Sequence, residues 1–154
     1  MASVSAPTGE TSPAELHLDN QLCFSVYAAA HAFVQAYKPH LGPLGLTYPQ
    51  YLVMLLLWEK DGRAVNELGL PLHLDSGTLT PLLKRLEKAG LVTRRRCDKD
   101  ERVMRIHLTE SGKMLQGKAA HIPHDMMCAM DLTLAELTTL RDTLKDIGGR
   151  LREK

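Results

Sequence analysis

The stretch "LDSGTLTPLLKRLEKAGLVTRRRCDKDERVMRIHL", residues 74–108, constrains the fold most, because its apolar period changes part-way along. Leu79, Leu82, Leu83 and Leu86 recur at helical spacing. Asp75 or Ser76 is placed to cap this helix, and Gly90 stands at C′, where a left-handed residue ends a helix. Beyond Gly90 the pattern becomes short and strand-like. "LVTRRRC" and "RVMRIHL" carry β-branched residues on either side of "DKDE", a polar turn. A capped helix that passes directly into a β-hairpin is the expected core of the chain.

The flanking segments read as helix. Asp19 is the expected N-cap of the first, with Leu18 and Cys23 as a hydrophobic staple across its first turn. An earlier start is open, because "SPAE", residues 12–15, is a capping box with Pro at its first helical position. The helix is expected to stop before Pro39, and "GPLG", 42–45, is a turn. A second helix starts near Thr47 and ends at "DG", 61–62. Its run "YLVMLLLW" is apolar on nearly every side, so it belongs inside. A short helix follows at about 64–70, with Pro71 shortening or kinking it. Thr109 caps a helix that Pro123 kinks or breaks. The last helix opens with a capping box, Thr133 to Glu136, and carries Leu134, Leu137, Leu140, Leu144 and Ile147.

Helix, short helix, turn, capped helix, hairpin is the order of a winged helix-turn-helix, mainly α with a small β-hairpin wing. The 154 residues suit one domain. Residues 1–15, rich in Ser, Thr, Pro and Ala, read as a disordered leader without the basic and apolar regions of a secretory signal. The longest apolar run is far short of the roughly 20 residues that span a bilayer. No membrane partner is expected, and the expected compartment is the cytoplasm, where Cys23, Cys97 and Cys128 start as thiols. No cofactor is expected.

Charge points to a polyanion. Between Lys84 and Arg105 there are nine basic residues against four acidic ones, in a chain of net charge +1. Such clustering favours phosphate binding through counterion release. Ser76, Thr78 and Thr80 put small polar groups at the start of the capped helix, where a recognition helix meets base edges. Lys84, Arg85, Arg94, Arg95 and Arg96 add the basic face, and Arg102, beyond the hairpin tip, is the candidate for minor-groove insertion. Double-stranded DNA is the expected partner.

Taken alone, Cys23 has two readings. It is a small core hydrophobe, or a thiol activated by the positive end of a helix dipole. The second is favoured by a helix start near Asp19, because a start at Ser12 sets the cysteine about two turns deeper in the helix and weakens the argument. Tyr27, Tyr37, Tyr48 and Tyr51 could each donate to a thiolate. Cys128 in its Met-rich helix reads as core packing, and Cys97 on the hairpin reads as exposed.

Two blocks, "LDNQLCFSVYAAAHAFVQAYKPHLGPLGLTYPQYLVMLLLWE" and "LDSGTLTPLLKRLEKAGLVTRRRCDKDERVMRIHLTESG", resemble the organic hydroperoxide-sensing repressors of the MarR family over roughly residues 16–120. The resemblance implies a homodimer on a pseudo-palindromic operator, with organic hydroperoxide as inducer. It implies one MarR-type domain over 16–154, with dimerisation helices at about 16–40 and 109–152 and the winged motif at about 47–108. Cys23 matches the family's peroxide-sensing cysteine, and Tyr37 and Tyr48 match tyrosines that hydrogen-bond to it from the other subunit. Cys128 stands where the two-cysteine subgroup keeps a resolving thiol that forms an intersubunit disulfide. "DER" at the wing matches Asp100, Glu101 and Arg102. Pro71 and Cys97 depart from the family pattern.

Three rival readings use the same residues. A thiol peroxidase shares the first chemical step, but the chain has no βαβ pattern and no C-x-x-C motif. A metal-responsive regulator could use His121, His124 and Cys128, although Pro123 disturbs their spacing and no fourth ligand is evident; no metal is expected. A MarR-type regulator released by a small aromatic ligand would respond under reducing conditions.

Overall fold

The structure is a computed structural model that describes residues 13–97 and 100–153. The expected Ser12 cap, most of the leader and the hairpin-tip residues Asp98 and Lys99 lie outside the described residues. Two short 3₁₀ turns, Pro13–Leu16 and Leu18–Asn20, precede seven α-helices and three strands. These are α1 (Leu22–Leu41), α2 (Tyr48–Glu59), β1 (Arg63–Ala64), α3 (Val65–Leu72), α4 (Ser76–Lys88), β2 (Val92–Cys97), β3 (Asp100–Leu108), α5 (Glu110–Ala119), α6 (Ile122–Met130) and α7 (Leu134–Arg152). The fold is a winged helix-turn-helix, mainly α, with the sheet as its wing.

Most expected caps are made. The Asp75 carboxylate accepts from the Thr78 amide at 2.7 Å, so Asp75 rather than Ser76 starts α4. The Thr109 hydroxyl accepts from the Gly112 amide at 3.0 Å. Thr133 and Glu136 form the expected reciprocal box at the start of α7. Gly90 follows α4 with φ +72°.

The first helix departs from expectation at both ends. Its N-cap is Gln21, not Asp19, which lies in the second 3₁₀ turn. The physical reason is that Asn20 and Gln21 spend their amides backwards. Asn20 donates to the Ala14 carbonyl at 2.7 Å and Gln21 to the Glu15 carbonyl at 2.5 Å, folding the preceding chain into 3₁₀ turns. These bonds order the described end of the expected leader. The helix also runs through Pro39 to Leu41. A proline in the last turn forfeits one backbone bond, and the Gly42 amide still closes on the Lys38 carbonyl. Pro71 is likewise inside α3, whose end is closed by His73 at φ 54° and by the Leu74 amide on the Gly69 carbonyl at 3.0 Å. The expected break at Pro123 separates α5 from α6.

The sheet order is β1-β3-β2, all antiparallel. β1, not foreseen from the sequence, adds Arg63 opposite Ile106 and Ala64 opposite Arg105. The hairpin register runs from Val92 opposite Leu108 to Arg96 opposite Met104, then shifts at Cys97. Val53, Met54 and Leu57 of α2 form the centre of the core. Leu68, Leu79, Leu83, Leu86 and Ile106 pack around them. Ile122 and Met126 bring α6 onto the same core. Outside this lobe burial is sparse: Leu41 is the only buried residue of α1, and α7 has none. No helix among the described residues is long and apolar enough to cross a membrane.

Candidate functional site

The positive face is assembled by α4 and the hairpin. Capping by Asp75 leaves Ser76 and Thr78 exposed at the N-terminal end of α4, with Thr80 half-buried. Lys84 and Arg85 are exposed one turn further on, opposite the buried stripe Leu79, Leu82, Leu83 and Leu86. On β2 the three arginines divide. Arg95 and Arg96 are exposed. Arg94 is half-buried and donates to the Glu87 carboxylate at 2.7 Å, fastening the hairpin to α4. Arg105 is also tied internally, to the Gly62 carbonyl at 2.7 Å, with Glu67 at 3.6 Å. At the wing the Asp100 carboxylate accepts from the Arg102 amide at 3.0 Å, shaping the turn that presents the exposed Arg102. Asp100 therefore has a positioning geometry rather than a phosphate-facing one.

Cys23 is the second residue of α1 and exposed, with its amide in the first turn. That turn carries unpaired N–H groups and the positive end of the helix dipole. Cys23, Val26, Tyr27, Ala30, Val34 and Tyr37 recur at 3.6-residue spacing, so they share one stripe of α1. Val26, Tyr27 and Val34 on that stripe are exposed.

Tyr37 and Tyr48 meet at the far end of α1. Their ring centroids are 4.7 Å apart, and Tyr51 lies 5.8 Å from Tyr37. Burial, helped by Tyr48 and Tyr51, pushes the Tyr37 hydroxyl up to about 12. Burial also raises Tyr48. Both hydroxyls therefore keep their protons at neutral pH and are hydrogen-bond donors. Fourteen residues of helix separate Cys23 from Tyr37, roughly 21 Å at 1.5 Å per residue. One chain cannot bring its own Cys23 and Tyr37 together.

Cys128 is exposed on α6, with Sγ 3.8 Å from His124 Nδ1. Its helix packs on the C-terminal end of α1, where Asp125 faces His40 at 3.7 Å. Cys23 is at the other end of α1, so the two thiols of one chain are more than about 10 Å apart, outside disulfide reach. The side chains of His40, His121 and Asp125 converge here, in place of the set His121, His124 and Cys128.

The chain matches the SarA/Rot transcriptional regulators over residues 35–118. It is 50% identical to the transcriptional regulator TtmR of Methylorubrum extorquens, over 99% of this chain and 77% of that protein. It is 45% identical to the organic hydroperoxide resistance transcriptional regulator of Bacillus subtilis, over 90% and 95% of the two chains. Among solved structures it superposes on reduced AbfR bound to DNA with a TM-score of 0.75 and 38% identity, over 92% of this chain and 99% of that one. Against the disulfide-formed AbfR the TM-score is 0.62 at 40% identity, over 87% and 94%. The chain belongs to the MarR family of winged-helix regulators. Within it, this regulator stands close to the organic hydroperoxide resistance branch, and it is a DNA-binding transcriptional regulator, not an enzyme.

In this MarR-type regulator, sequence reasoning missed the internal duties of Arg94 and Asp100. Neither has a local signal: the partner of Arg94 is on the preceding helix, and Asp100 acts through a backbone turn. It also missed His40, which lies far from His121 and Asp125 in sequence and meets them only through the packing of α6 on α1.

Proposed function

We propose that this regulator is a homodimeric repressor that releases its operator when organic hydroperoxide oxidises Cys23. The observation that carries the reading is the stripe on α1. It places an exposed thiol in the first turn and proton-bearing tyrosines at the other end, with uncovered apolar residues between. Packing α1 antiparallel against a second copy would cover Val26, Tyr27 and Val34. It would set Cys23 of one subunit against Tyr37 and Tyr48 of the other, where two O–H donors stabilise a thiolate. The dimerisation segments are then about 16–40 and 109–152, and each winged lobe, about 47–108, is carried as a unit.

On DNA, Ser76, Thr78 and Thr80 face the major groove, with Lys84, Arg85, Arg95 and Arg96 on phosphates and Arg102 at the minor groove. Arg94 and Asp100 hold that surface in shape. The operator is pseudo-palindromic because the dimer is two-fold. Acting on DNA, the protein works in the cytoplasm.

The chemistry balances in two steps. The Cys23 thiolate attacks the outer oxygen of the hydroperoxide and the O–O bond breaks, giving a sulfenic acid and, after protonation, an alcohol. The thiol of Cys128 in the other subunit then attacks the sulfenic sulfur. The S–S bond forms and water leaves. The two thiols of one chain are out of reach of each other, so the bond links subunits. Where the two thiols stand more than about 7 Å apart at Cα in the reduced dimer, closing the bond moves α6 and α1 and reorients the lobes. The better superposition on reduced, DNA-bound AbfR than on the disulfide form supports reading this conformation as the binding-competent one.

A gel shift on the chain's own upstream DNA, with and without cumene hydroperoxide, tests the reading. Wild type is released by peroxide and rebinds after thiol reduction. Cys23→Ser binds equally well and is not released. Release of that variant by peroxide would end the sensor assignment, and release of wild type by a small aromatic compound under reducing conditions would replace it.

A further inference from the structure

His40 closes α1, and His121 and Asp125 flank the start of α6. Asp125 Oδ2 lies 3.7 Å from His40 Nδ1 and 3.8 Å from His121 Nε2. One donor atom from each of the three residues lies within 4.8 Å of the other two. These separations are too long for hydrogen bonds, which need about 3.2 Å or less. They are close to another length. An ion with bonds of about 2.0–2.2 Å in tetrahedral geometry keeps its ligand atoms about 3.3–3.6 Å apart. The carboxylate already stands between the two imidazoles, and rotation of the exposed His121 ring closes the remaining gap.

The geometry points to a binding site for a divalent transition ion of the zinc class, held by His40 Nδ1, His121 Nε2 and one Asp125 carboxylate oxygen. Two imidazoles and a carboxylate are donors that suit such an ion, and three protein ligands leave a fourth position for water. The side chains of His40, Asp125 and His121 are 27%, 42% and 58% exposed, so an ion can enter without unfolding. His124 faces the other Asp125 oxygen at 3.7 Å and touches Cys128, so it lies beside the site and not in it. Once bound, the ion fastens the end of α1 to the start of α6. The site stands on its own residues and does not depend on peroxide sensing.

The test uses the full-length reduced protein, stripped with a chelator, and Co²⁺ as a spectroscopic probe displaced by Zn²⁺. The expected result is saturable binding of one ion per chain, with visible ligand-field bands and no strong thiolate-to-metal band in the near ultraviolet. His40→Ala and Asp125→Asn should each weaken Zn²⁺ binding about tenfold or more. The Cys23→Ser, Cys128→Ser double variant should bind like wild type. Zn²⁺ should raise the melting temperature of wild type but not of His40→Ala. His121→Gln provides a further variant should either of the others fail to fold in chelator. A thiolate band, or loss of binding in the double serine variant, would assign the ion to the cysteines and overturn the site. So would wild type that does not saturate at micromolar ion. Peroxide release, measured separately in chelator, stands or falls independently of these outcomes.

Discussion

In the lobe from α2 to β3, Val53, Met54, Leu57, Leu68, Leu79, Leu83, Leu86 and Ile106 are all at most 2% exposed. In α1 and α7, by contrast, Leu22, Tyr27, Leu134, Leu140 and Leu144 are between 42% and 73% exposed. The first region completes its own core. The second consists of amphipathic helices of twenty and nineteen residues whose apolar sides are largely uncovered among the described residues. In proteins most of the stability of such helices comes from the packing of an apolar face. The difference teaches where a signal can enter: the lobe is held by its own interior, whereas the flanking helices depend on what packs against them.

The strongest way to break this comparison is Leu140→Asp. A charge on the uncovered side of α7 should leave the winged lobe folded by circular dichroism but dissociate the proposed dimer in sedimentation. Operator affinity should fall about 100-fold or more, because two linked half-site contacts become one. A variant that remains dimeric and binds normally would place the interface elsewhere. Leu83→Ala attacks the other region and should cost about 2–5 kcal/mol in urea unfolding, through lost burial and a cavity. A cost below about 1 kcal/mol would mean that the lobe core is not the rigid half.

Gly112→Ala sharpens the boundary between the regions. Helix propensity alone favours alanine by about 1 kcal/mol. A Cβ at this position, however, would run into the carbonyl oxygen of Leu91, the residue just before β2. The sign should therefore reverse, to a loss of about 2 kcal/mol. The smallest effect is electrostatic. The Thr78 amide and hydroxyl beside Asp75 hold its carboxyl below the usual carboxylate range. A lowered value in the folded state contributes stability above about pH 4, the unfolded value, and that stability is lost as pH falls through the folded value. Asp75→Asn keeps a capping oxygen without titrating. Its stability should fall less steeply than that of wild type as pH drops, because the contribution that wild type holds at pH 7 and loses in acid is absent from the variant.

The lobe was legible because its signals are local. The stripe Leu79, Leu82, Leu83 and Leu86, the Asp75 cap, the Gly90 stop and the change of period are all written within thirty-five consecutive residues. β1 was not legible, because two residues show no period and Arg63–Ala64 pairs only through its register with β3. The start of α1 was misplaced because Asp19 has the right chemistry for a cap, while Asn20 and Gln21 turn the chain elsewhere. Pro39 and Pro71 did not end their helices, since a last turn tolerates one missing donor. In the thiol region, position on α1 was readable to within three residues. The separation of Cys23 from Tyr37 and from Cys128 needed the helix length and the packing of α6.

The bond from Arg94 to Glu87 has one further consequence. It buckles hairpin to reading helix, so neither can be retuned without the other, and a control signal acting on this molecule has little purchase on the grip of a single lobe. In the proposed dimer, what it can alter is the gauge between two such lobes, as with rails whose profile is fixed and whose spacing alone decides whether a wheelset runs.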